Sequence, residues 1–127
     1  MTYKVLVIGE NPDSVDFSDP ALPPGMSAEK IRGGIALALR LMSERGWEAH
    51  SCLIENNDQA DGMVEARLAR EAYDCVIIGG GVRMPPSRLL LFERLINVVH
   101  RAAPRARIAF NTTPPDSVEA AARWLEP

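Results

Sequence analysis

Three adjacent glycines followed by an arginine, Gly79-Gly80-Gly81-Val82-Arg83, are the residues best placed to do chemistry in this chain. Consecutive glycines carry a high conformational entropy. They suit a place where φ must be positive or where the backbone approaches another group closely. Their bare N–H groups could hold an anion, with Arg83 adding charge and a planar donor fork. The same run also fits a tight strand exit that binds nothing. It is not a dinucleotide fingerprint, because the glycines are contiguous, Pro85-Pro86 delays the next helix and no G-x-G-x-x-G is present.

Three other groups invite a chemical reading. Glu10-Asn11 follows the first apolar run; a carboxylate kept dry there would have a raised pKa and could act as a general base. The alternatives are a solvated carboxylate or a salt bridge to Arg83. Asn111, Thr112 and Thr113 could orient a ligand by hydrogen bonds, or simply end a strand before the Pro114-Pro115 turn. Asp13, Asp16 and Asp19, with Glu10, could in principle hold a hard cation. Their spacing is not that of a calcium loop and the intervening prolines oppose tight wrapping, so a solvated acidic loop and no metal site are expected.

Cys52 and Cys75 lie inside strand-like runs, without a Cys-x-x-Cys or a histidine at metal-like spacing. They read as inert buried thiols. His50 and His100 lack a nucleophile at a recognisable distance, so neither is expected to be catalytic. The residues therefore name no catalytic group and no cofactor.

The elements that must position these groups alternate. Apolar runs at Tyr3–Gly9 and Tyr73–Gly79 read as strands buried on both faces, and Glu48–Ile54 and Arg107–Asn111 as mixed, peripheral strands. Helical patterns follow each: Ser27 to Arg45 with Gly46 as the stop, about Gln59 to Ala72, Pro86 or Ser87 to Ala103, and Asp116 to Leu125 with Asp116 as cap. This βαβαβαβα order predicts one α/β domain over residues 1–127, a three-layer α/β/α sandwich. Placing the apolar strands inside gives a four-stranded parallel sheet in the order 2-1-3-4, a flavodoxin-like or Rossmann-like winding. Ligands of such sheets sit at the carboxyl ends of the strands where the winding reverses, here strands one and three. The connection from Glu10 to Met26 has four prolines and no helical period. It is long for its type and leaves the sheet at that point, so it could cover the crevice, pinned by Phe17 and Leu22. Gly33-Gly34 interrupt the first helix, which suggests close packing there.

Composition narrows the function classes. Apolar residues make up 46% of the 127, enough for a packed core. Fourteen basic and seventeen acidic side chains give a net charge of −3, which argues against a nucleic-acid binder. No run approaches the ~20 apolar residues of a membrane span, and a cytoplasmic protein is expected. A receiver domain would carry an aspartate where Gly79 stands, a flavodoxin a hydroxyl-rich loop after the first strand, and a low-molecular-weight phosphatase a cysteine there.

The stretches Tyr73–Arg83, Leu91–His100 and Phe110-Asn111-Thr112 resemble a group of short bacterial α/β proteins with no assigned activity. The resemblance implies a bacterial, cytoplasmic setting and supplies no catalytic residues. Two functions are expected from the residues. One is binding of a small anionic or phosphorylated ligand by Glu10, Asn11, Gly79, Gly80, Gly81, Arg83, Asn111 and Thr112, with the question of an enzyme left open. The other is a non-catalytic homodimeric module, whose second copy would cover the extra apolar arc of the third helix, Leu91, Val98 and Ala102.

Overall fold

The structure, a computed structural model, describes residues 2–127. Strands β1 (Lys4–Glu10), β2 (Glu48–Ile54), β3 (Cys75–Ile78) and β4 (Arg107–Phe110) form one parallel sheet in the order β2-β1-β3-β4. Helices α1 (Ala28–Glu44), α2 (Ala60–Arg70), α3 (Leu89–Ala102) and α4 (Ser117–Leu125) connect and follow the strands.

Strand alternation explains why the inner runs are wholly apolar. Successive side chains leave a strand on opposite faces. Leu6 and Ile8 of β1 join Val76 and Ile78 of β3 against α2 and α3, where Val64, Leu68, Leu95 and Val99 meet them. Val5, Val7, Cys75 and Ile77 point the other way, toward Met42, Val118 and Ala121 of α1 and α4. A polar residue anywhere in these runs would lie in one core or the other. Each large side chain removed from water contributes ~1.5–3 kcal/mol, so the two cores fix the register of the central strands.

Helix ends follow local chemistry. Ser27 Oγ accepts from Lys30 N at 3.2 Å and caps α1. Gly46, at φ 85°, reverses the chain beyond α1, and Trp47 N donates back to Met42 O at 3.0 Å. The Gly33-Gly34 interruption has a specific cause. A Cβ on Gly34 would stand 3.1 Å from Pro114 Cβ, so the glycine admits the Pro114-Pro115 turn against α1.

One helix start and one cap's hydrogen bonding differ from expectation. Residues Pro86–Arg88 form a 3₁₀ turn, with α3 starting at Leu89. Asp116 stands at the N-cap position of α4, as expected, but its carboxylate makes no cap bond to that helix; it accepts from Thr112 N and Thr113 N, closing a capping box on the 3₁₀ turn Pro114–Asp116. Among the described residues no helix is long and apolar enough to cross a membrane.

Candidate functional site

β1 ends in Glu10, a carboxylate 7% exposed at the carboxyl edge of the sheet. Its partner is Arg88, not Arg83. Arg88 Nε and Nη2 both lie 2.9 Å from Glu10 Oε1. The 3₁₀ turn ahead of α3 delivers this guanidinium, so the delayed start of that helix has a positional consequence. A carboxylate gripped by a fork is not the unpaired group that a general base needs.

Asn11 is used by the chain itself. Its Oδ1 accepts from Asp13 N at 3.0 Å and caps the 3₁₀ turn Pro12–Ser14, while its N–H donates to Ile54 O at 2.6 Å. The rest of the connection is held by similar local bonds. Asp16 Oδ1 accepts from Ser18 N and Asp19 Oδ1 from Ala21 N, and Asp13 pairs with Arg32 of α1. Each of these acids thus has a donor or cation within the connection or on α1 as its partner. Of the two expected pins, Phe17 is 39% exposed and Leu22 is half-buried, so neither is a buried anchor; Pro12 is buried. The hydrogen bonds from Ser18 hold the Asp16 carboxyl below its ordinary range, and Arg88 adds a smaller effect in the same direction.

None of the three glycines has a positive φ, and close approach accounts for Gly79 and Gly80. A Cβ on Gly79 would stand 3.0 Å from Ile8 O, and one on Gly80 would stand 2.9 Å from Thr112 O. Gly79 N donates to Ile8 O and Gly80 N to Asn111 Oδ1, each at 2.9 Å. Only Gly81, open on all sides to an added Cβ, keeps an amide without a protein acceptor among the described residues. Asn111 is 3% exposed and joins three elements. Its Nδ2 donates to Ser117 Oγ at 2.9 Å, and Ser117 Oγ donates its one proton to Pro114 O at 2.7 Å. Thr112 is exposed, and its backbone is tied to Asp116.

Arg83 turns away from β1 and toward β4. Its guanidinium carbon lies 5.2 Å above the Phe110 ring, and Nη2 donates to Asn111 O. Nε is buried with no protein acceptor. Burial pushes the guanidinium below its ordinary range, and Asp116 acts in the opposite direction. Nε and Nη2 share the edge by which an arginine grips a carboxylate or phosphate. In Arg88 that edge is filled by Glu10; in Arg83 it holds one backbone carbonyl and one empty donor.

The predicted crevice is thus divided. Gly79, Gly80, Asn111 and Arg83 meet on the β3–β4 side, whereas Glu10 and Asn11 belong to the β1 side with Arg88. Arg88 had no signal in the sequence beyond its charge, because its partner lies 78 positions away.

The proposed dimer surface is corrected by the same structure. Leu91 and Val98 are 2% and 3% exposed and lie in the chain's own core, with Ala102 packed against it. The wide apolar arc of α3 exists because α3 covers both the sheet and α2. Cys52 and Cys75 are free and buried, as expected.

Comparison with known proteins finds no matching family model and no similar curated protein.

Proposed function

We propose that this protein binds a small oxyanion, carboxylate or phosphate in class, at the carboxyl edge of the sheet, with Arg83 as the principal donor. The observation that supports this reading is the buried, acceptor-free Nε of a partly buried guanidinium. A buried donor without a partner costs ~1–3 kcal/mol, and a ligand oxygen removes that cost. An oxyanion on the Nε–Nη2 edge fills the empty donor and takes the place of the Asn111 carbonyl. Asn111 and the Gly79-Gly80 backbone hold the platform, and the exposed Gly81 amide adds a second donor.

No group in this set is a free nucleophile or base, so the reading is of binding rather than turnover. The experiment is a thermal-shift and calorimetric screen of inorganic phosphate, nucleotides, phosphorylated sugars and dicarboxylates. A hit that disappears in Arg83→Ala and weakens in Arg83→Lys supports the fork. A hit indifferent to both substitutions, or no hit at all, removes the proposal.

A further inference from the structure

The amino-terminal half of the outer strand β2 gathers titratable groups that the oxyanion reading does not use. Glu48 and His50 stand two apart on β2, so the pleat sends both side chains to one face. The turn between α2 and β3 brings Glu71 and Tyr73 against them. His50 Nδ1 lies 3.1 Å from Glu71 Oε1 and 2.9 Å from Tyr73 Oη, and its Nε2 lies 3.7 Å from Glu48 Oε2. One ligating atom from each of Glu48, His50 and Glu71 falls within 4.8 Å of the other two. Lys4 Nζ bridges the carboxylates, 3.2 Å from Glu71 Oε2 and 3.5 Å from Glu48 Oε2.

We propose that Glu48, His50 and Glu71 form a site for a divalent transition-metal ion of the zinc class, entered by displacing the Lys4 ammonium. The donor set selects the ion. An imidazole with two carboxylates suits Zn²⁺, Co²⁺ or Ni²⁺, whereas Ca²⁺ and Mg²⁺ ask for oxygen-only shells. The ammonium between the carboxylates marks a cation position. Lys4 occupies it on a flexible stem 37% exposed, so the side chain can swing into water. A divalent ion neutralises both carboxylates where Lys4 neutralises one charge of two. Tyr73 O–H donates to Glu71 Oε1 at 3.0 Å, the kind of outer hydrogen bond that orients a ligating carboxylate. The three side chains are 31–47% exposed, which lets an ion enter and water complete its shell. A tetrahedral shell with bonds of ~2.0–2.1 Å needs ligand atoms roughly 3.4 Å apart, a closure that exposed glutamates can make.

The test is titration of ZnCl₂ by calorimetry and of Co²⁺ by visible absorption, with helix content checked by circular dichroism. One Zn²⁺ per chain is expected. Lys4→Met should tighten binding, Tyr73→Phe should weaken it about tenfold, and His50→Gln should abolish saturable binding and the cobalt bands. His100→Ala should bind as the unsubstituted protein does. Absence of saturable binding in both the unsubstituted protein and Lys4→Met overturns the proposal. So does binding that survives His50→Gln unchanged.

Discussion

Arg88 closes its guanidinium fork on Glu10, with Nε and Nη2 each 2.9 Å from one carboxylate oxygen at the buried end of a central strand. The pair joins the exit of β1 to the entrance of α3. The side chains are 5% and 16% exposed, so water screens the pair little. Removing one partner strands a charge. Arg88→Met is expected to cost about 3 kcal/mol in urea unfolding, and the double variant Glu10→Gln/Arg88→Met less than that. Equal losses in the single and double variants would show that the carboxylate is not the source of the effect.

Asn111 is predicted to be intolerant even of its closest analogue. Asn111→Leu leaves the Gly80 N–H without an acceptor, at a cost of about 2–3 kcal/mol. Asn111→Asp keeps that acceptor but faces Ser117 Oγ with a lone pair where a donor stood. The hydroxyl proton is already committed to Pro114 O at 2.7 Å. Asp should therefore destabilise nearly as much as Leu at neutral pH, and a substitution to Asp without effect on the urea midpoint would refute this network.

The glycine run separates into required and dispensable positions. Gly80→Ala drives a methyl to 2.9 Å from the Thr112 carbonyl oxygen and should destabilise by about 1–3 kcal/mol. Gly81→Ala meets nothing, and should be neutral or stabilise by about 0.5 kcal/mol through the unfolded chain. Unfolding curves that rank the two in the opposite order would contradict the close-approach explanation.

These pairs also show what could be read from residue order. Two wholly apolar runs and two mixed ones sufficed to predict the strand order, because burial on both faces leaves little choice of sequence. The ends of the strands were less legible. The glycines read as a place of either positive φ or close approach, and the choice between these, like that between a ligand and Thr112, depends on a contact across 32 positions of chain. Glu10 was expected to be free or to pair with Arg83, because nothing local distinguishes Arg83 from Arg88. The α3 arc read as surplus because α2, a weakly patterned helix, gave little sign that it would pack there. Glu48, His50 and Glu71 carry no motif, since a strand and a distant turn bring them together.

Cys75 supplies a pH dependence. Burial, with a smaller contribution from Asp74, pushes its thiol from an ordinary 9.0 to about 12. The unfolded chain loses this proton first, so the contribution is intact below pH 9.0 and is lost as pH rises toward 12. By about pH 10.5 the unsubstituted protein should have lost about 1–2 kcal/mol more than Cys75→Ala, measured as the change in unfolding free energy from about pH 8. Parallel profiles for the two proteins would contradict the burial of this thiol.

The most direct test of oxyanion binding watches the empty donor itself. The side-chain Nε–H signal of Arg83, assigned by its loss in Arg83→Lys, is followed by ¹⁵N-correlated NMR during titration with inorganic phosphate and with the best ligand of the screen. A saturable downfield shift of that one arginine signal, with the Arg88 signal unmoved, is the predicted result. An Arg83 signal that stays in place while the ligand saturates the protein would contradict the account.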